Sequence, residues 1–454
     1  MKTVGVALLG CGTVGSRIYH ILKRDKELFE KKCGISFRIT GVTGRRPESL
    51  VREKIDPGLF KTAEQNIDFR GADVVVELMG GIHPAAEAVT GALRQKKPVV
   101  TANKALLSEQ GQDLISLAQK NGVTLAFEAS CCAGVPVVRA ITDGLSSNRI
   151  DAIFGIVNGT CNYILTRMIH QGIDYNEALK KAQEEGLAEA DPALDVSGMD
   201  SAQKLTILSG LAFGGFLPLA SVSVKGIDTL ERMDVEFAGQ LGYVVKLLAI
   251  ASRIGSGICL RVRPSFITKE HPLAWVSGPF NAVSLYGGTT GHTMYYGRGA
   301  GGDPTASAVI SDLISTASGM EQAKFSYIAD WFKQKEPEMH TTGEIRSRYY
   351  IRVLVKDQPG SLGRITTILG KHDISIASFL QHELPESEDT ADGCEFAGKV
   401  PIVLTTHTVK EQNIINALKE IEQTEQGCGG TEYISIVDEH PERIQQIPVN
   451  SLGD

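Results

Sequence analysis

The first fifteen residues constrain this chain more than any other part of it. An apolar run from Val4 to Leu9 ends in Gly10-Cys11-Gly12-Thr13-Val14-Gly15, and a helical pattern through Ile18, Ile21 and Leu22 follows. In a strand-turn-helix unit these glycines have a physical job. Gly12 lets the backbone approach a pyrophosphate, and the helix that follows presents its N-terminal amides and positive dipole end. The motif alone is weak, and a glycine turn needed only for packing is the plain alternative, but strand before and helix after are the context it requires. Gly10, Gly12, Thr13, Val14 and Gly15 are therefore candidate dinucleotide contacts. Strand-like runs at Phe37 to Val42, Val74 to Leu78, Pro98 to Thr101 and Thr124 to Phe127 alternate with helical segments such as Pro84 to Leu93. That alternation predicts an α/β, doubly wound, mostly parallel sheet of Rossmann type over residues 1–150.

An NAD-binding unit offers an Asp or Glu to the ribose about 20 residues past the glycines. Here the second strand ends instead in Thr43-Gly44-Arg45-Arg46. Guanidinium groups suit a 2′-phosphate, so Arg45 and Arg46 favour NADP, with NAD still possible and solvated surface arginines as the alternative.

A chain of 454 residues exceeds what one core serves. Beyond residue 150 the pattern becomes α+β, with strand candidates at Val222 to Ile227 and Gly257 to Val262, and we assign 151–302 to a second domain. Glycine clusters from Gly287 to Gly302 precede a helix at Thr305 to Thr316, within a segment 303–325 expected to pack back on the first domain. A polar stretch, 326–346, reads as a linker. Strand, helix, strand, strand, helix and strand follow at Tyr349 to Val355, Ser361 to Gly370, Ile374 to Leu380, Gly398 to Thr405, Lys410 to Glu420 and Glu432 to Val437, with a polar insertion around Pro385 to Gly393. This is the order of a ferredoxin-like domain over 347–440.

Composition excludes some functions. A net charge of −7 without basic blocks argues against nucleic-acid partners. The apolar stretch Leu205 to Val224 is broken by Gly210, Gly214, Gly215 and Pro218, so a buried helix and turn is expected and no membrane partner. Eight cysteines fall in no zinc-ligand pattern, and no signal peptide opens the chain. Reduced thiols in a cytoplasmic protein fit these features.

The densest polar constellation runs from Gly186 to Lys204, where Glu189, Asp191, Asp195, Asp200 and Lys204 fall within 16 residues. Ser197 or Asp195 is a candidate cap for a helix beginning near Gly198, on which Asp200 and Lys204 share a face. Such a pair on a solvated helix is worth little. In a cleft, however, the lysine becomes a general acid for a carbonyl receiving hydride, and the carboxylates a partner for an ammonium group. Lys104 follows the strand Val99 to Thr101, at the sheet end where α/β folds place ligands.

Taken together, these residues resemble the homoserine dehydrogenases across essentially the whole chain. The matching pieces are Gly10 to Gly15, Val100 to Lys104, Phe127-Glu128-Ala129, Asn158-Gly159-Thr160 with Asn162 to Leu165, Gly186 to Lys204, and Gly297 to Thr305; Tyr349 to Gln381 is similar to the start of an amino-acid-binding ACT domain. The resemblance implies reversible reduction of L-aspartate 4-semialdehyde to L-homoserine in threonine, methionine and isoleucine biosynthesis. Lys204 would be the proton donor with Asp200 beside it, Lys104 would lie between cofactor and substrate, and Glu189 and Asp195 would contact substrate. Gly301 and Gly302 would approach the nicotinamide. It also implies a monovalent cation such as sodium or potassium at Glu128, Cys131, Ala133 and Val135. This chain departs from the pattern with Cys131-Cys132-Ala133 where relatives tend to show Val and Gly, and with Cys161 where they often have Thr.

For the C-terminal unit the resemblance implies feedback inhibition by L-threonine, with Asp357, Gly360 and Leu362 in the effector site, against a role in assembly only. A homodimer or homotetramer is expected, and a monofunctional chain. Burial lowers a lysine's pKa, which would let Lys204 act as acid in one direction and base in the other. Two rivals remain: a phosphorylating semialdehyde dehydrogenase using a cysteine nucleophile such as Cys161, and a non-catalytic nucleotide and amino-acid sensor.

Overall fold

The structure is a computed structural model that describes residues 1–44, 53–61, 69–381, 399–424 and 430–437. Arg45, Arg46 and the polar insertion lie outside the described residues. Six parallel strands, β1 (Lys2–Leu9), β2 (Ile35–Thr43), β3 (Phe60–Lys61), β4 (Val74–Glu77), β5 (Val99–Thr101) and β6 (Leu125–Ala126), form a sheet in the order β3-β2-β1-β4-β5-β6. All four residues of β4 are buried, as a strand covered on both faces requires. The order reverses direction beside β1, the switch point where such sheets bind ligands. Helix Gly302–Ser318 returns to this unit, and its Ala306, Val309, Ile310 and Leu313 share a core with Val6, Leu8 and Ile18.

One expectation fails just beyond. The following helix runs from Met320 to Phe332, so residues 326–332 are helical rather than linker. Phe325, Ile328, Ala329 and Phe332 repeat at helical spacing and are buried; the charged run that follows from Lys333 hid that stripe.

The second layer is an eleven-stranded sheet. Its central part uses β7 (Ile150–Ile156), β8 (Val222–Val224), β9 (Tyr243–Ile254), β10 (Gly257–Thr268), β11 (Phe280–Gly287) and β12 (Gly291–Arg298). The C-terminal module adds β13 (Arg346–Lys356), β14 (Ile376–Gln381), β15 (Lys399–Thr406), β16 (Val409–Lys410) and β17 (Glu432–Val437), with helices Ser361–Lys371 and Glu411–Glu422. Strands β17-β13-β15-β14 keep the ferredoxin-like order. The module is not a free appendage: β17 pairs in parallel with β10, Ser265 opposite Ser435 and Ile267 opposite Val437. The central part of this sheet and the module thus share one ladder of main-chain hydrogen bonds.

Across this seam Arg352, 1% exposed, donates from Nε to Asp234 Oδ1 at 2.7 Å and from Nη2 to Asp234 Oδ2 at 3.1 Å. The Tyr350 hydroxyl donates to the same carboxylate at 2.8 Å.

Helix Met199–Phe213 is buried along nearly its whole length and ends in a left-handed turn at Gly214 and Gly215. The apolar stretch that includes it is a core helix and turn; among the described residues no helix is long and apolar enough to cross a membrane.

Candidate functional site

A cleft of about 550 Å³ opens between the two layers, and its walls come from both. At the nucleotide end, helix Thr13–Arg24 starts at Gly12 with no side-chain cap, leaving its first amides free for a ligand. A side chain at Gly12 would meet no protein atom within 4 Å, whereas one at Gly15 would lie 2.2 Å from the Gly10 carbonyl oxygen. Gly15 therefore serves the tight turn, and the space over Gly12 is open, as a dinucleotide phosphate requires. Gly301, at φ +114°, begins the returning helix, and Gly302 sits so close to Thr13 and Arg17 that a Cβ would lie 3.2 and 3.1 Å from their side chains. Two bare helix starts thus meet at this end of the cleft. Thr43, which ends β2, accepts the Gly10 amide on Oγ1 at 3.2 Å.

At the other end the structure brings the polar constellation together. Lys204 and Asp200 are buried, 8% and 4% exposed, so the solvated ion pair is ruled out. Lys204 Nζ donates to Asp200 Oδ2 and to the Val157 carbonyl, both at 2.7 Å. Lys104 Nζ stands 3.1 Å from Asp200 Oδ1. Asn158 donates from Nδ2 to Asp200 Oδ2 and Asp195 Oδ1, each at 2.8 Å, while its Oδ1 caps helix Gly159–Gln171. Glu189 is exposed but lines the same cleft.

Burial alone would raise the Asp200 carboxyl, but the Lys204 and Lys104 ammonium groups and hydrogen bonds from Lys204 and Asn158 outweigh it and hold it at about 2. Burial likewise works to lower Lys204, yet Asp200 overcomes it and the ammonium is pushed up to about 12. The expectation that burial would bring this lysine down is overturned by its carboxylate partner.

Neither Ser197 nor Asp195 caps helix Met199–Phe213. Its N-cap is Gly198 at φ +86°, without a side-chain cap. A Cβ there would lie 3.1 Å from both Val224 and Val262, so the turn is set by a close approach to the sheet.

Three positioning groups escaped the sequence reading. Val157 contributes only a carbonyl, which no side-chain pattern reveals. Asn281 donates from Nδ2 to that same carbonyl at 2.9 Å and packs against Gly299, where a Cβ would fall 1.9 Å from Asn281 Nδ2. Glu77, buried at the end of β4, accepts from Thr101 Oγ1 at 2.6 Å and the Met79 amide at 2.7 Å. Its carboxyl is raised by burial, against those hydrogen bonds. Glu77 fastens the turn in which Asn103 caps helix Lys104–Lys120. Lys104 is the first residue of that helix, where a cation costs about 0.3–1 kcal/mol against the dipole; its salt bridge to Asp200 offsets that. An apolar strand ending in Glu was the available signal for Glu77.

The loop after Glu128 takes a left-handed turn at Cys132 (φ 54°) and Ala133 (φ 28°). The Glu128 carboxylate is occupied by the Val138 and Arg139 amides at 3.1 and 2.8 Å, and burial with the nearby Asp312 raises it to about 7. Among the described residues no group of three His, Cys, Asp or Glu side chains is placed to hold a metal ion.

Cys161 is buried, and its thiol, facing the Asp195 carbonyl at 3.2 Å, is raised by burial and the adjacent carboxylates. That is the reverse of an activated nucleophile. In the C-terminal module, Gly360 at φ +93° begins helix Ser361–Lys371, with Asp357 exposed and Leu362 half-buried in the turn.

Three family models match the chain: "Homoserine dehydrogenase, NAD binding domain" over residues 10–128, "Homoserine dehydrogenase" over 136–314 and "ACT domain" over 349–425. The chain is 37% identical to a homoserine dehydrogenase of Bacillus subtilis, covering 94% of this chain and 96% of that one. It is 39% identical to one of Pseudomonas aeruginosa over 94% and 96%. A crystal structure of a homoserine dehydrogenase from Thiobacillus denitrificans superposes with a TM-score of 0.87 at 36% identity, covering 96% of this chain and 99% of that one.

Proposed function

Because the chain belongs to the homoserine dehydrogenase family, a group of NAD(P)-dependent oxidoreductases, and carries a C-terminal ACT domain, we propose that it reversibly reduces L-aspartate 4-semialdehyde to L-homoserine with Lys204 as proton donor. The observation that carries this reading is the Lys204 ammonium, buried in the cleft and aimed by Asp200 and the Val157 carbonyl. When bound, the reduced nicotinamide supplies the hydride to the aldehyde carbon. Lys204 gives its proton to the alkoxide oxygen that forms, and Asp200 keeps the lysine charged until then. Glu189 and Asp195 hold the substrate ammonium, and Lys104 takes its carboxylate or a cofactor group. With Lys204 held near 12, reduction has its acid at any ordinary pH. In homoserine oxidation the neutral lysine is scarce, roughly one in a thousand at pH 9, so that direction accelerates with rising pH.

The test follows NADPH absorbance with L-aspartate 4-semialdehyde. We expect rapid oxidation by the wild type and a loss of about 10²–10⁴ in kcat for Lys204→Ala. Equal rates in the two proteins would remove Lys204 from its role. No wild-type turnover with either NADPH or NADH would end the assignment.

Further features extend the reading. NADP is the preferred cofactor, since β2 ends in Thr43 rather than an acid. A monovalent cation, sodium or potassium, would be held by main-chain oxygens of Glu128, Cys131, Ala133 and Val135, where it would fix the loop beside the cleft. The left-handed turn and the engaged Glu128 carboxylate suit main-chain rather than side-chain ligation. The six described cysteines are all free thiols, which suits a reducing cytoplasm. Feedback inhibition by L-threonine through the ACT domain serves the biosynthesis of threonine, methionine and isoleucine. Self-association as a dimer or tetramer uses edge strand β12, which exposes Met294 and Tyr296.

A further inference from the structure

We propose that Lys246 is a positioning residue for the reduction: its buried ammonium clamps the loop from Val276 to Phe280 onto helix Gly159–Gln171, and through that loop sets Asn281, which shares an anchor with Lys204. The inference rests on the reading of Lys204 as proton donor, and it adds to the site a residue that does not itself line the cleft.

Lys246 stands in β9 and is 2% exposed. Among the described residues no carboxylate pairs with it, and burial draws its pKa down to about 8. A buried charge without a counterion is costly, and an apolar side chain of the same length would fill the space without that penalty. What the ammonium supplies is direction. Its Nζ donates to the Val276 carbonyl at 2.5 Å and to Asn162 Oδ1 at 3.3 Å. Held by its oxygen, the Asn162 carboxamide turns Nδ2 to the loop, where the carbonyls of Val276, Gly278 and Phe280 lie at 3.2, 2.9 and 3.1 Å. Flipped, the amide would set its oxygen against three carbonyls and its N–H groups against the ammonium, so the lysine fixes which way it points. Thr166, one turn further along the helix, accepts the Gly278 amide on Oγ1 at 3.0 Å.

The clamped loop runs into the site. Pro279 and Asn281 line the cleft, and Gly159 lies so close to the loop that a Cβ there would fall 2.9 Å from the Pro279 carbonyl oxygen. Asn281 follows Phe280 directly, and its Nδ2 meets the Val157 carbonyl that also receives Lys204 Nζ. Helix Gly159–Gln171, the other half of the clamp, begins at Asn158, which holds Asp195 and Asp200. One ammonium thus ties together the two segments that flank the reacting lysine. A shift of the loop moves that lysine's anchor, and a displacement of about 1 Å at a reacting group costs on the order of 10²-fold in rate.

The test uses Lys246→Met in the full-length protein, which keeps the length of the stem and removes the ammonium. Amide hydrogen exchange reads the loop without turnover, and we expect residues 276–281 to exchange roughly tenfold faster than in wild type. In NADPH-dependent reduction of the semialdehyde we expect kcat to fall roughly tenfold, with KM for the semialdehyde within about twofold of wild type. Added to Asn281→Asp, Lys246→Met should cost less than about twofold more, because both act on one anchor. Thr166→Val loosens the same loop from a half-buried position, should lower kcat about two- to threefold with KM unmoved, and carries the test should Lys246→Met fail to fold. Unchanged exchange, or losses that multiply in the double variant, would overturn the clamp and leave Lys204 in its role. Faster exchange with wild-type kcat would show that the loop does not set the site, and would overturn the inference as well. A wild type without turnover would end the reductase reading and the positioning role with it.

Discussion

Two buried carboxylates, Asp200 and Asp234, each face a long cation, Lys204 four residues on in the same helix and Arg352 across a helix-sheet contact, yet they do opposite things. Asp234 is fully buried and spends both oxygens on Arg352, with the Tyr350 hydroxyl completing its shell. Nothing is left to react. Asp200 divides itself among Lys204, Lys104 and Asn158, and every one of these groups also lines the cleft. The fork of an arginine locks a bidentate partner, whereas lysine is a point charge with protons that can leave. Burial and pairing alone do not mark a catalytic site. What marks it is a cation that can release a proton and a cavity beside it.

The comparison breaks most sharply at Arg352. Arg352→Met leaves Asp234 sealed without its charge partner, and we expect a loss of about 3–5 kcal/mol in unfolding free energy, measured by urea denaturation, with kcat per folded molecule unchanged. Adding Asp234→Leu to it should recover most of that loss, since an apolar pair of similar volume is often as stable as a buried ion pair. A single variant destabilised by less than about 1 kcal/mol would show that the seam pair is not closed. A fall in kcat would show that it reaches the chemistry.

Asn281 sharpens the other half. It shares the Val157 carbonyl with Lys204 and packs under Gly299, so it sets the lysine's anchor. Asn281→Asp keeps the size but loses the donor. We expect kcat to fall roughly 10–100-fold with KM for the semialdehyde little changed, and the pH profile of homoserine oxidation to move to higher pH, because a second carboxylate favours charged Lys204. A KM effect with an unmoved pH profile would make Asn281 a packing residue only.

These two regions were not equally legible in the sequence. The nucleotide unit could be read because its signals are local: Gly10, Gly12 and Gly15 sit between a strand and a helix, and each apolar strand is bounded by polar residues. Lys204, Asp200, Asp195 and Glu189 could be read as a cluster because they lie on one short segment. Their burial could not, since an Asp and a Lys four apart look the same on a solvated helix. The partners that fix them come from distant positions, Val157 through its main chain and Asn281 through a strand pairing. The seam was invisible for the same reason. Glu432 and Lys225, or Arg352 and Asp234, meet only because β17 adds to β10, and an exposed ferredoxin-like module and one built into a larger sheet have the same order of elements.

The smallest expected effect tests the cleft's boundary rather than its centre. Cys161 stands in the helix that Asn158 caps, beside Asp195, and a reactive thiol there would have made the site a different enzyme. The thiol is buried, and its pKa is raised by that burial and by the surrounding carboxylates, so the thiolate that nucleophilic chemistry needs is suppressed where Asp200 and Lys204 are charged. Cys161→Ala removes one sulfur atom and at most a weak hydrogen bond to the Asp195 carbonyl. We expect kcat within about twofold of wild type and a stability loss under about 1.5 kcal/mol. A loss of activity approaching that of Lys204→Ala, or trapping of Cys161 by an aldehyde under turnover, would mean that the lysine and its carboxylate are not the reacting pair.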